Sequence, residues 1–122
     1  MDKIISYHVL VIEDKPIISE KIAKKLTSFI DPKEIKLVHT VKDSLGLLEE
    51  FKFNIIVLDL NLSDGNGITI LNKVKDANLK SLVYVFSINS ELKKICIKKG
   101  ATAFFDKSKD FHDLISTIRT AY

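Results

Sequence analysis

Short apolar runs alternate along the chain with longer segments in which apolar residues recur at helical spacing. The short runs are rich in β-branched residues and therefore predict strands. The predicted strands are Tyr7 to Ile12, Ile35 to Thr40, Asn54 to Leu58, Ser81 to Phe86 and Ala103 to Phe105. The first and third contain unbroken apolar stretches, which is typical of parallel strands covered by helices on both faces.

The segments between the strands carry apolar residues three and four positions apart, which predicts five helices. Asp14, a residue type that caps helix N-termini, precedes the first of them, and Pro16 lies in its first turn. The residues that mark the helices are Ile18, Ile22, Leu26 and Phe29; Leu45, Leu48 and Phe51; Ile68, Leu71 and Val74; Leu92, Ile95 and Cys96; and Phe111, Leu114, Ile115 and Ile118. Five alternating strand–helix units with right-handed crossovers predict an open, doubly wound, flavodoxin-like α/β fold with a five-stranded parallel sheet.

The length of 122 residues, with 46% hydrophobic and 29% charged residues, fits a single globular domain over residues 1–122. No apolar run approaches the roughly 18 residues of a membrane-spanning helix, and the start of the chain does not read as a secretory signal. The single cysteine, Cys96, excludes an internal disulfide framework and a cysteine-based zinc site, so we expect a cytoplasmic protein. The net charge of +3 rests almost entirely on lysine, with Arg119 the one arginine, and we expect no direct nucleic-acid binding.

Polar side chains follow the carboxyl ends of four predicted strands, where sheets of this kind bind ligands. They are Glu13 and Asp14 after the first strand, Asp59 after the third, Ser87 after the fourth and Lys107 after the fifth. Each one alone also fits a helix cap, a turn or a solvated side chain, but all of them fall at the same edge of the sheet. Clustered carboxylates suit a divalent cation such as Mg²⁺, and a lysine and a hydroxyl beside it fit a phosphoryl group.

In this order the residues resemble the receiver domains of two-component response regulators, in particular the single-domain, chemotaxis-regulator-like ones, over essentially the whole chain. Gly67 and the Gly100-Ala101 pair also match the family pattern. By resemblance, the acidic metal-binding pair is Glu13 and Asp14, the phosphoacceptor Asp59, the switch hydroxyl Ser87, the switch aromatic residue Phe104 and the family's lysine Lys107.

The resemblance implies that Asp59 accepts a phosphoryl group from a sensor histidine kinase or a histidine phosphotransfer protein. It also implies that Mg²⁺, or Mn²⁺, is held by Glu13, Asp14, Asp59 and the main-chain carbonyl of Asn61. Catalysis would be limited to self-phosphorylation and self-dephosphorylation at Asp59, so the chain would not be an enzyme acting on other molecules. Hydrolysis of the phosphoryl group would be tuned by Asn61, Ile88 and Asn89.

Signalling would follow from a two-state switch. Ser87 would bond the new phosphoryl group, Phe104 would move into the vacated space, and the face formed by the fourth helix, fifth strand and fifth helix would change. A run of lysines on the fourth helix is either a solvated surface or the contact for an acidic downstream partner. These lysines are Lys93, Lys94, Lys98 and Lys99.

Two alternatives remain at this stage. One is a pseudo-receiver, an interaction module of the same fold that works without phosphorylation. The other is a haloacid dehalogenase-like phosphatase, whose second carboxylate acts as acid and base where this chain has Asn61, an amide that cannot titrate. Ser63 stands where receiver domains usually carry proline, and Ser108 where they often do.

Overall fold

A computed structural model describes residues 8–121 of the chain. Its main sheet has five parallel strands, which are β1 Val9–Ile12, β2 Ile35–Val38, β3 Ile55–Leu58, β4 Leu82–Ser87 and β5 Ala103–Asp106. They lie in the order β2-β1-β3-β4-β5. The predicted doubly wound, flavodoxin-like fold is confirmed, and the strand order reverses at β1, which opens a crevice at the carboxyl ends of β1 and β3.

Helices connect successive strands. They are α1 Pro16–Leu26, α2 Val41–Glu50, α3 Ile68–Asp76, α4 Lys93–Lys98 and α5 Phe111–Thr120. Single 3-10 turns precede β2, at Pro32–Glu34, and α4, at Ser90–Leu92. Between β3 and α3 the chain forms a small hairpin, in which Asn61–Leu62 pairs with Gly65–Asn66.

The helices cover both faces of the sheet. On one face, α1 and α5 bury apolar residues such as Ile22 and Ile118 against Val9 and Val11 of β1. On the other face, the alternate residues of β1 pack against α2, α3 and α4. The apolar stretches of β1 and β3 are buried at every position, as expected for central parallel strands.

The start of α1 differs from the sequence prediction. The N-cap residue is Lys15, and its side chain makes no capping hydrogen bond. Asp14 does not cap the helix, because its carboxylate instead lies in a cluster with those of Glu13 and Asp59.

Several helices and strands also begin or end one to three residues from the positions that the sequence predicts. The predicted second strand ends at Val38, because Thr40 caps α2 by accepting a hydrogen bond from the main-chain N–H of Asp43. Ser87 belongs to β4, where it pairs in register with Asp106. Phe29, Phe51 and Leu92 lie just outside the α-helices that they were expected to mark. Tyr7, the predicted first residue of β1, lies outside the described residues.

The chain approaches itself closely at Gly67, the residue before α3. A Cβ atom at this position would lie 2.3 Å from the main-chain oxygen of Asp59 and 3.0 Å from the Cα of Leu60. The Gly67 N–H donates to the Leu60 carbonyl at 2.8 Å. Glycine is thus required for the tight loop that follows Asp59.

Within residues 8–121, none of the helices is long and apolar enough to cross a membrane.

Candidate functional site

Three carboxylates meet in the crevice at the carboxyl ends of β1 and β3. Glu13 and Asp14 directly follow β1, and Asp59 directly follows β3. One oxygen of each lies within 4.8 Å of the other two. Glu13 is 1% exposed and Asp59 3% exposed, so the mutual repulsion of their charges is poorly screened by water.

Lys107 reaches this cluster from the loop after β5. Its Nζ lies 2.8 Å from Glu13 Oε1 and 3.2 Å from Asp59 Oδ1, and its side chain is 13% exposed. One ammonium group balances one of the three carboxylate charges, which leaves a site suited to a further cation.

The loop that carries Lys107 is held without a proline. Asp106 Oδ1 accepts hydrogen bonds from the main-chain N–H of Ser108 at 2.8 Å and from its hydroxyl at 2.6 Å. The hydrogen bond from the Ser108 hydroxyl, followed by the one from its N–H, holds the pKa of the Asp106 carboxyl below its ordinary value. The Lys107 N–H donates to the Ser87 carbonyl at 2.9 Å. These bonds hold the main chain on both sides of Lys107 without a proline.

Burial raises the pKa of Glu13 above its ordinary value. The hydrogen bond from Lys107 opposes this shift, and the charge of Asp59 adds to it. The Lys15 N–H donates to Glu13 Oε2 at 3.2 Å, and the ring of His39 bonds the Glu13 main-chain carbonyl through Nδ1 at 2.8 Å. Hydrogen bonds therefore hold Glu13 in place through both its side chain and its main chain.

The cluster fits a hard divalent cation. Asp14 Oδ1 is buried and has no hydrogen-bond partner among the described residues. A buried carboxylate oxygen without a partner is costly unless it ligates a cation, and three carboxylates match the oxygen ligands that Mg²⁺ prefers. Glu13, Asp14 and Asp59 are thus brought together as the sequence predicts.

The two oxygens of Asp59 have different surroundings. Oδ1 accepts a hydrogen bond from the Asn61 N–H at 3.2 Å and lies beside the Lys107 ammonium. Oδ2 receives no hydrogen bond from residues 8–121. The described residues therefore hold Oδ1 of Asp59 in place and leave Oδ2 without a hydrogen bond.

Ser87 and Asn89 lie on the neighbouring strand end. Ser87 is fully buried, and its Oγ accepts a hydrogen bond from the Asn89 N–H at 3.0 Å. The side-chain amide of Asn61 donates to Asn89 Oδ1 at 2.7 Å, which joins the loop after β3 to the loop after β4. Ile88, between these residues, is 64% exposed.

The other predicted residues lie away from the carboxylates. Phe104 is partly buried and packs against the core on the α4 side of the sheet. Lys93, Lys94 and Lys98 are exposed on α4, whereas Lys99 is partly buried and its Nζ lies 3.4 Å from Asn72 Oδ1.

Asp64 is a residue of this region that sequence reasoning missed. Its carboxylate accepts hydrogen bonds from the main-chain N–H groups of Val41 at 2.7 Å and Lys42 at 3.0 Å. The hairpin after Asp59 is thereby tied to the N-terminus of α2. In the sequence, Asp64-Gly65 indicates only a turn, and the contact to residues 23 and 22 positions away has no local signal.

The family model of the response regulator receiver domain matches residues 9–119. Among curated proteins, the chain is 24% identical over 115 residues to the nitrate/nitrite response regulator protein NarL of Escherichia coli strain K12. It is 30% identical over 107 residues to the transcriptional regulatory protein MalR of Bacillus subtilis strain 168. The alignments cover 93% and 85% of the chain but 53% and 45% of these relatives, so the chain spans about half the length of the curated relatives it matches.

A solved structure of similar fold is the receiver domain of the Francisella response regulator 1452. It superimposes with a TM-score of 0.84 at 24% sequence identity, covering 93% of this chain and 94% of that one. The fold agrees with the family match. The chain belongs to the response regulator receiver domain family of two-component systems.

Proposed function

We propose that the chain is a phosphoacceptor domain in which Asp59 receives a phosphoryl group from phosphohistidine. Receiver domains of response regulators are phosphorylated by histidine kinases, and here the donor is a sensor kinase or a histidine phosphotransfer protein. The observation that carries the proposal is the environment of Asp59. Lys107 Nζ lies 3.2 Å from Oδ1, while Oδ2 receives no hydrogen bond from the described residues.

The transfer needs a fixed nucleophile and positive charge around the phosphoryl oxygens. A lone pair of Asp59 Oδ2 forms the new O–P bond as the P–N bond of phosphohistidine breaks, and the electron pair of that bond stays on the imidazole nitrogen. The nucleophile is a carboxylate oxygen, so the step requires no general base. Lys107 and the Asn61 N–H orient the carboxylate through Oδ1.

The acidic cluster supports a Mg²⁺ requirement. Receiver domains bind Mg²⁺ at an acidic pocket, and Glu13, Asp14 and Asp59 with the main-chain carbonyl of Asn61 would hold it in this chain. When bound, Mg²⁺ neutralises negative charge on the transferring group. The chain acts in this way on itself alone, without a second substrate to turn over.

Ser87 supports the switch. Its Oγ accepts the Asn89 N–H, which leaves the hydroxyl proton available for a phosphoryl oxygen on Asp59. Movement of Ser87 toward that oxygen draws Asn89 with it, and the partly buried Phe104 follows. The face of α4, β5 and α5 then changes, and the lysines of α4 offer a contact for an acidic downstream protein.

The test is an intact-mass measurement of the chain after incubation with Mg²⁺ and phosphoramidate. We expect one phosphoryl group on the wild type, none on Asp59→Asn, and one on the control Asp76→Asn, which alters an exposed residue at the end of α3. Chelation of Mg²⁺ should abolish labelling. Labelling of Asp59→Asn would show that another carboxylate is the acceptor. A wild type that stays unlabelled even with a competent histidine kinase would favour the pseudo-receiver alternative.

A further inference from the structure

A groove lies between α1 and α5, on the face of the sheet opposite α2, α3 and α4. Its volume is about 630 Å³. The residues that shape it are Lys21, Lys25, Phe111, His112, Ile115 and Arg119. None of them belongs to the acidic cluster or to the lysine run on α4.

The groove has cationic walls and no acidic residue in its lining. Within residues 8–121, Lys21, Lys25 and Arg119 form no ion pair with a carboxylate. Two of these cations rest on aromatic rings instead. Lys21 Nζ lies 4.4 Å from the ring centre of Phe111, and the guanidinium carbon of Arg119 lies 4.8 Å from the ring centre of Phe29.

Stacking on a ring positions a cation without using its N–H donors. The rings of Phe111 and Phe29 therefore position Lys21 and Arg119 while leaving their N–H donors available to a ligand. An arriving carboxylate would find the side chains already ordered, which lowers the entropic cost of binding.

The floor of the groove is apolar. Phe111 is partly buried and Ile115 is 7% exposed, and both lie on the side of α5 that faces α1. The α5 residues that line the groove, from Phe111 to Arg119, extend over about 12 Å along the helix axis. This length matches two turns of a bound helix. The lysine run on α4 carries more positive charge but lies on a single exposed helix rather than in a groove.

We propose that the α1–α5 groove docks an acidic amphipathic helix of a partner protein. Apolar residues of that helix would lie on Phe111 and Ile115, and its carboxylates would pair with Lys21, Lys25 and Arg119. This surface shares α5 with the α4, β5 and α5 face but uses the side of α5 that faces α1, and none of its residues belongs to the acidic cluster. An apolar floor and a single arginine favour a peptide over nucleic acid, which is bound mainly through phosphates and base edges.

The experiment is an NMR titration of the full chain with a synthetic helical peptide of leucine, glutamate and alanine, in which leucines recur three and four positions apart. We expect backbone shifts concentrated on α1 and α5. The double change Lys25→Glu with Arg119→Glu should weaken binding by about tenfold or more, because two pairings become repulsive. The matched control, Lys93→Glu with Lys94→Glu, makes the same charge change on α4 and should weaken binding by less than about twofold, through long-range charge alone.

Three further measurements complete the test. A scrambled peptide of the same composition, which lacks the apolar stripe, should bind at least about fivefold more weakly than the amphipathic one. The double variant with the milder changes Lys25→Gln and Arg119→Gln should bind the amphipathic peptide more weakly than the wild type does. It should unfold at the same temperature as the wild type. Both groove variants should label normally at Asp59 with phosphoramidate, which separates a failure of the groove from a failure of the phosphoacceptor site.

The proposal is overturned if the peptide shifts α4 rather than α1 and α5, or if the groove variants bind as tightly as the wild type. It is equally overturned if the scrambled peptide, or a single-stranded oligonucleotide of the same charge, binds as well as the amphipathic peptide. Equally tight binding of the oligonucleotide would show that the surface binds anions nonspecifically.

Discussion

The side-chain amide of Asn61 donates a hydrogen bond of 2.7 Å to the side-chain oxygen of Asn89, which lies 28 positions further along the chain. Each of these residues also donates a main-chain hydrogen bond to a side chain of the candidate site. The Asn61 N–H donates to Asp59 Oδ1, and the Asn89 N–H donates to Ser87 Oγ. The amide pair therefore links the loop after β3, which follows Asp59, directly to the loop after β4, which follows Ser87.

We predict that Asn61 and Asn89 control dephosphorylation as a pair. Asn61→Ala and Asn89→Ala should each change the dephosphorylation rate more than the labelling rate, because the amides orient water rather than the phosphodonor. Loss of one hydrogen bond of about 1 kcal/mol corresponds to about fivefold in rate. The double variant should change no more than the larger single change, because either substitution already breaks the same bond.

The measurement is the decay of phosphorylated protein after removal of the donor, in a double-mutant cycle. Asn72→Ala, on the exposed side of α3, is the control and should decay like the wild type. Rate changes that simply multiply in the double variant would show that the two amides act independently.

We predict that Ile88 guards the approach to Asp59. The side chain follows Ser87 and is 64% exposed, so it stands in the solvent at the mouth rather than in the core. Ile88→Ala should speed labelling by small phosphodonors and self-dephosphorylation together, because both require a small molecule to reach the same point. Stopped-flow measurement of both rates, with Ile97→Ala as an exposed control on α4, tests this. If neither rate rises, the side chain does not limit access.

We predict that Ile17 contacts the protein phosphodonor. It lies in the first turn of α1, close to the acidic pair, and is 84% exposed, which is unusual for a large apolar side chain. Ile17→Ala should reduce transfer from a histidine kinase by about fivefold, the cost of one apolar interface contact of about 1 kcal/mol. Labelling by phosphoramidate should not change. An equal loss with both donors would indicate damage to the site rather than to docking.

The fold could be predicted from the sequence because each element carries its own periodic signal. The strand ends also placed Glu13, Asp14, Asp59 and Lys107 at one edge of the sheet, since parallel strands share their carboxyl ends. Only the additional expectation that Asp14 caps α1 was wrong, because an aspartate after a strand suits a helix N-terminus and an acidic cluster equally well. Only the three-dimensional position of Asp59, from another strand, separates the two interpretations.

Contacts between distant loops could not be predicted in this way. The bonds from Asn61 to Asn89 and from Val41 to Asp64 join residues 28 and 23 positions apart. Their partners are polar residues in loops, which carry no periodic pattern. The same holds for His39, whose bond to the Glu13 carbonyl depends on how β2 lies beside β1.

We predict that Gly67→Ala destabilises the fold and impairs Asp59. The added methyl group would lie 2.3 Å from the Asp59 main-chain oxygen, so the phosphoacceptor loop must move. The cost should be about 1–3 kcal/mol in the free energy of unfolding, measured with urea, together with slower labelling. Gly46→Ala is the control, because its methyl group meets nothing within 4 Å and it lies inside α2. That substitution should stabilise the fold by about 0.5–1 kcal/mol. Equal effects of the two changes would contradict the close approach at Gly67.

The last prediction concerns the hairpin after Asp59 and its dependence on pH. Hydrogen bonds from the main-chain N–H groups of Lys42 and Val41 hold the pKa of the Asp64 carboxyl below its ordinary value of 3.8. A carboxyl whose pKa is lower in the folded state stabilises the fold above its unfolded pKa, and this contribution is lost as the pH falls through the folded pKa. Asp64→Asn should therefore be less stable than the wild type at pH 7, and the difference should shrink as the pH falls below about 4. Urea midpoints measured from pH 7 to pH 3 test this, with Asp76→Asn as a control whose difference from the wild type should not narrow in the same way. A difference between Asp64→Asn and the wild type that stays constant over this range would show that the ionised carboxylate does not tie the hairpin to α2.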